Sequence, residues 1–429
     1  MTAPSTPAGA WTCPFCPLAC DHLGVQVAAD GALMLQGSNC ERASRALAAC
    51  AGPAAAPSID GQPATLDAAL AAAAAWLAAS RQPLFAGLGT DVAGARALYP
   101  LACATGAIVD AAGGDALMQG LRALQDRGQF TTTLAEVRTR ADLIVFVGAL
   151  PTAIAPLIGQ RLGIGDPQVA QRHVVVIDPA PGDEATLAAW AGAGTSTGVT
   201  TETLALDGDL FDTVSLLDAL VARRPAMAGA TLPAALRALA ERLHAARYAV
   251  LVGSPPRLPA QGALIVEVLH RIVGELNRKT RAAALWIGGG NGAATANQVF
   301  AWLSGVPMRS RAGPRGLEHE PLRFGTAHLL EQGAVDALLW VSSFDAASAP
   351  PDTALPTVVL GHPALAASCA RPGSIVIPVS TPGIGSAGHV FRTDGTVLMP
   401  LHVVRSDGLP SVADVAKCLL QSLPARSAA

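Results

Sequence analysis

Residues 249–287 read AVLVGSPPRLPAQGALIVEVLHRIVGELNRKTRAAALWI. Two short apolar runs, Ala249 to Val252 and Ala284 to Ile287, bracket Gly262 to Leu276, where apolar residues recur at every third or fourth position. A short apolar run, a helical period and a second apolar run spell strand, helix and strand, the crossover that a parallel pair of strands requires. Because the runs are apolar at successive rather than alternate positions, both faces of the sheet must be covered by helices.

The same alternation extends over residues 84 to 405. It predicts further strands at Leu84 to Ala86, Ala107 to Val109, Leu143 to Val147, Val174 to Ile177, Ala337 to Val341, Thr357 to Leu360 and Ser374 to Pro378. Helices are predicted at Leu66 to Ala79 and Pro233 to Ala245, and several strands end in Gly, Asp or Pro, as they do where a strand hands over to a loop. Nine strands exceed one ordinary doubly wound sheet, so two α/β units are expected.

The first fifty residues differ. Cys13, Cys16, Cys20 and Cys40 follow the spacing C-x2-C-x3-C-x19-C, with little helical period before Glu41 and an Ala/Pro linker at Ala51 to Pro57. This stretch reads as a small metal-organised lobe. Three closely spaced thiolates can wrap one centre while a fourth returns from a later segment, as a Cys-ligated iron–sulfur cluster requires. Structural zinc accepts four thiolates too, though its sites more often come as two C-x2-C pairs, and four buried thiols without metal fit the same spacing. Cys50, Cys103, Cys369 and Cys418 lie on apolar stretches and read as packing residues.

Charged residues make up 14% of the 429 residues, against roughly 25% in an average soluble domain. So charge-poor a surface calls for a cover, most commonly another subunit. The net charge of −3 with no basic block points away from nucleic acid, and the most apolar stretch, Ala68 to Ala79, is too short to cross a bilayer. The first ten residues carry neither a basic nor an apolar signal region, so the expected compartment is the cytosol.

Other motifs have two readings each. Gly288, Gly289, Gly290, Asn291 and Gly292 follow a strand, where bare amides can approach a phosphate, or where a plain strand-to-helix loop needs glycine. Asp178-Pro179 ends a strand, where it can meet a ribose or guanine edge, or simply turn the chain. Arg309 to Arg323, containing Glu318, His319 and Glu320, reads as the main charged loop, facing solvent or a partner. There is no Walker loop.

Together, Trp11-Thr-Cys-Pro-Phe-Cys-Pro-Leu-Ala-Cys-Asp21, the later Cys40, Asp142-Leu-Ile-Val-Phe-Val-Gly148, Ala296-Asn-Gln-Val-Phe-Ala-Trp302 and Gly385-Ser-Ala-Gly-His-Val-Phe-Arg-Thr-Asp-Gly395 carry a resemblance running from Trp11 to Arg405. The chain resembles the B subunit of formylmethanofuran dehydrogenase, of the molybdopterin oxidoreductase superfamily, in the version found in the formyltransferase/hydrolase complex of methylotrophic bacteria. The resemblance implies an α/β fold with a small Cys-rich N-terminal lobe and two Rossmann-like parallel-sheet domains, one inserted in the other. This is the arrangement of formate dehydrogenase domains 1 to 3, without a C-terminal barrel. The implied division is a lobe over 1–52, a first domain over 58–128 and 327–405, an inserted domain over 129–326, and a C-terminal helix and tail over 406–429.

By the same resemblance, Cys13, Cys16, Cys20 and Cys40 would hold a [4Fe-4S] cluster, while Asp178, Gly289 and Asn291 would contact a Mo/W-bis(pterin guanine dinucleotide). The implied partners are the other subunits of the complex and a methanofuran-like carrier, whose acidic tail the Arg309 to Arg323 stretch could meet. The implied setting is one-carbon metabolism, in which formyl groups pass from tetrahydromethanopterin to the carrier and leave as formate.

The chain departs from active members where the chemistry would sit. The metal-ligating cysteine of those members and the histidine after it fall here on Ala116 and Leu117, and an Arg-Gly-His before the matching Ala-Asn-Gln-Val is replaced by the glycines and Asn291. Alanine cannot ligate a metal and leucine cannot move a proton. The expectation is therefore a structural subunit with the redox centre lost and the pterin absent. A working Mo/W-pterin dehydrogenase and a zinc-lobed nucleotide-binding module are the rival readings.

Overall fold

The computed structural model describes residues 11–52, 55–192, 198–205, 208–224 and 233–424. The terminal stretches 1–10 and 425–429 and part of the 51–57 linker lie outside the described residues. The chain divides into two compact units, Asp115–Gly288 and Met1–Gly114 with Gly289–Ala429.

In the unit Asp115–Gly288, five strands run in the order Arg281–Trp286, Tyr248–Gly253, Leu143–Val147, Gln171–Ile177, Gly198–Leu204, every neighbouring pair parallel. All residues of Leu143–Val147 and Tyr248–Gly253 are buried, as the unbroken apolar runs require. Helix Gly262–Leu276 lays Ile265, Leu269, Ile272 and Val273 on the core formed with Val145, Leu251 and Ala284. The strand Gly198–Leu204 is one that periodicity did not predict. It is an edge strand whose Val-Thr-Thr-Glu-Thr run is polar and half-buried, so its sequence lacks the apolar signal.

In the other unit, nine strands run in the order Gly316–His319, Ser310–Gly313, Ile108–Val109, Pro83–Gly89, Ala337–Ser342, Thr357–Gly361, Ser374–Pro378, Ser58–Ile59, Gln62–Pro63. The middle five are parallel, with short antiparallel hairpins at both ends. Helix Leu66–Ala79 starts at Thr65, whose hydroxyl accepts the Ala68 amide, and buries Ala69, Ala73 and Leu77 on one face. The C-terminal helix Val412–Ser422 packs on Val92–Thr105, where the missing side chain of Gly94 makes room for Val412.

The domain boundaries differ from those expected. The insertion begins with helix Gly114–Arg127 and ends at 288 rather than 326, because helix Ala293–Ser304 packs on Val92–Thr105 and strand Ser310–Gly313 pairs with Val109. The Cys-rich stretch and the described part of 406–429 belong to this same unit. Arg309 to Arg323, expected as a loop, instead contains the hairpin Ser310–Gly313 and Gly316–His319. Within it Arg309 is folded inward onto Asp110, and Arg311 pairs with Glu318 across the hairpin.

No helix among the described residues is long and apolar enough to cross a membrane.

Candidate functional site

The Cys-rich lobe is closed by short-range bonds. The Cys13 amide donates to the Cys20 carbonyl at 2.8 Å, and the strands Gly24–Val27 and Leu33–Gln36 pair antiparallel before Cys40 leads into helix Glu41–Cys50. Trp11 Nε1 donates to the Gly383 carbonyl at 2.8 Å and Arg405 donates to the carbonyls of Gly31 and Cys50, tying the lobe to the unit that carries it. Cys13, Cys20 and Cys40 are buried, Cys16 half-buried, and none of the four is in a disulfide. Burial pushes the Cys13 thiol well up, with Cys16 adding to it, and burial also raises Cys16 against the pull of Arg42. Among the described residues no three His, Cys, Asp or Glu side chains are grouped as a metal site requires.

The glycine stretch is used for close packing. Gly292 has φ +72°, and a Cβ there would stand 2.3 Å from the Thr90 carbonyl oxygen and 2.6 Å from its nitrogen. A Cβ on Gly289, at φ +71°, would meet the Ala294 Cβ at 2.5 Å, and one on Gly290 would lie 3.3 Å from Pro17 of the Cys-rich lobe. Asn291, also at positive φ, donates through Nδ2 to Ser342 Oγ at 3.3 Å. The plain-loop reading accounts for these glycines without a phosphate.

The remaining predicted residues lie in the other unit. Ala116 and Leu117 are half-buried in the first turn of helix Gly114–Arg127. Asp178 is exposed just beyond strand Gln171–Ile177, with φ +61° and its amide bonded to the Leu204 carbonyl at 2.9 Å.

Two cavities open beside the loops that follow Ala337–Ser342 and Thr357–Gly361, the carboxyl edge where ligands bind in open α/β sheets. One, of about 330 Å³, is lined by Phe15, Arg42, Arg45, Asn291, Phe344 and His362. The other, of about 230 Å³, is lined by Cys50, His362, Thr381, Arg405 and Asp407 among others. Of the sequence-predicted cofactor residues, Asn291 lines the larger of these two cavities. Arg42, Cys50 and His362 were missed. A search for polar residues directly after each predicted strand would have found His362, which follows Thr357–Gly361.

His362 Nδ1 accepts the Ala364 amide at 3.1 Å, which leaves the ring proton on Nε2, 3.2 Å from Cys50 Sγ. Burial pushes His362 down to about 4 and the Cys50 thiol up to about 12, so the pair is neutral across the ordinary pH range. Since the unfolded chain protonates His362 near 6.5, stability is full above that pH and falls as the pH drops toward 4, by up to about 1.4 kcal/mol per pH unit. Chemical unfolding at pH 7 and pH 5 should show this loss, and a His362→Gln variant should lose part of the difference. An equal difference in both chains would assign the acid sensitivity elsewhere. His270, in the other unit, is likewise pushed down to about 4 by burial and adds its own share.

No protein-family model matches the chain. It is 33% identical over 351 residues, 78% of this chain and 87% of the relative, to the B subunit of the formyltransferase/hydrolase complex Fhc of Methylorubrum extorquens. Among solved structures it is similar to a chain of the formyltransferase/hydrolase complex FhcABCD from Methylorubrum extorquens in complex with methylofuran. The TM-score is 0.72 at 28% identity, over 85% of this chain and 98% of that chain.

Proposed function

We infer, from the premise that this chain belongs to the family of the B subunit of the formyltransferase/hydrolase complex, that it is a scaffold subunit of such a complex in one-carbon metabolism and carries no redox step of its own. The feature that carries the second half is the pair Ala116 and Leu117, which the resemblance sets at the positions where active dehydrogenases have a metal-ligating cysteine and a histidine. Neither side chain has a lone pair to give a metal or a proton to move. The packing of Gly292 onto Thr90 supports the same reading, since the glycines are taken up by the fold.

In this reading, formyl transfer and hydrolysis fall to the partner subunits, and a methylofuran-like carrier serves those subunits. A bis-pterin with molybdenum or tungsten would find no side-chain ligand at Ala116, and no step is routed through it. The four thiols of the lobe remain as part of its fold.

The test is metal and pterin analysis of the assembled complex, with an absorption spectrum of the same sample. The expected result is tungsten, molybdenum and pterin far below one per complex, with no viologen-coupled formate oxidation. Stoichiometric metal and pterin with that activity would establish the working dehydrogenase instead. Iron, zinc or neither in the same sample decides what the thiols hold.

A further inference from the structure

The stretch Arg309 to Arg323 contains four arginines, and the fold uses only two of them. Arg309 pairs with Asp110, and Arg311 with Glu318. Arg315 and Arg323 are exposed and form no ion pair among the described residues, and the exposed Glu320 pairs with neither. Beside them Leu317 is 47% and Leu322 72% exposed, the latter the most exposed large apolar side chain among the described residues.

The backbone here is also open. Gly316–His319 is the last strand of its sheet and pairs only with Ser310–Gly313, so the polar groups along its outer side meet no strand among the described residues. Edge strands in free-standing proteins are usually protected by lysine, proline, a bulge or a covering element. Gly316-Leu-Glu-His319 has no lysine and no proline, and its pairing with Ser310–Gly313 runs without a shift in register. An unpaired strand edge flanked by free cations and exposed leucines is the complement of an extended segment that is both acidic and apolar.

We propose that this edge docks an extended acidic and apolar segment of a partner subunit. The segment adds a strand beside Gly316–His319, sets carboxylates against Arg315 and Arg323, and covers Leu317 and Leu322. This rests on the reading of the chain as a subunit of a complex.

Hydrogen exchange of residues 316–323, measured on the free full-length chain and on the assembled complex, tests it directly. Assembly should slow exchange of these amides by about tenfold or more, as new strand pairing does. The double variant Arg315→Glu with Arg323→Glu, both exposed, should melt at the temperature of the unmodified chain. It should associate about tenfold more weakly at low ionic strength, a deficit that shrinks with added salt. An intact complex in which 316–323 exchange at the free-chain rate, or in which the double variant assembles with unchanged affinity, overturns the docking surface and leaves the subunit reading standing. Slowing caused by an acidic carrier in the absence of partner subunits overturns it too. Failure to assemble with any partner subunit overturns both.

Discussion

Replacing Arg309 with alanine is expected to destabilise the unit that contains it by about 3 to 5 kcal/mol, the usual cost of leaving one partner of a buried ion pair alone. Arg309 and Asp110 have side chains only 5% and 3% exposed, with Nε 3.1 Å from Oδ1. Asp110 also accepts from the amide of Ala111 and from the amide and hydroxyl of Thr326, while Arg309 donates to the Pro321 carbonyl. Burial raises the Asp110 carboxyl above its ordinary range even with the guanidinium beside it. Without Arg309 that rise is unopposed by the cation, and the carboxyl takes up a proton more readily when folded than when unfolded. The deficit of the variant should therefore be largest near neutral pH and narrow as the pH falls. Replacing both partners, Asp110→Leu with Arg309→Met, should recover part of the loss by removing the stranded charge. Urea unfolding of the three chains at pH 7 and pH 5 measures this, and an unchanged midpoint for Arg309→Ala would show that the pair does not hold the sheet edge.

The second large effect is expected at Gly292. An alanine there must adopt φ +72°, which costs about 1 kcal/mol for an L residue, and must place its Cβ 2.3 Å from the Thr90 carbonyl oxygen. Thr90 is fully buried and the clash is with its backbone, so relief requires moving a strand end rather than turning a side chain. A loss of about 3 kcal/mol or more is expected for Gly292→Ala. Gly113→Ala is the control, because Gly113 has φ +69° with nothing within 4 Å of the added Cβ, so it should lose only about 1 kcal/mol. Equal losses at the two positions would show that the packing of Gly292 on Thr90 is not a determinant of stability. The comparison also bears on function, since a loop whose glycines serve packing is damaged by alanine in the absence of any ligand.

The residues of the candidate site were legible to unequal degrees. The cysteines stood out by spacing, and the structure places them in one lobe, yet whether four sulfurs converge depends on the turn at Ala19 and the return at Cys40, which spacing does not specify. Asp178 and Asn291 were picked as residues that follow strands. Asn291 reaches a cavity because its loop folds back on Thr90 and Pro17, while Asp178 stands exposed in the other unit. The Cys50 and His362 pair, 312 residues apart, has no local signal at all.

By itself the sequence determined the nine apolar strands, the helices over Leu66–Ala79 and Gly262–Leu276 and the presence of two parallel-sheet units. These are properties of residue type and of periods a few residues long, which the chain carries wherever it folds. Only the tertiary structure decided that the insertion ends at 288, that Gly198–Leu204 completes a sheet, that Arg309 is buried against Asp110 and that Gly316–His319 is left as an open edge. Each of these depends on which distant segments meet, and the free energy of a meeting belongs to both partners and to the water they exclude, so neither segment shows it alone.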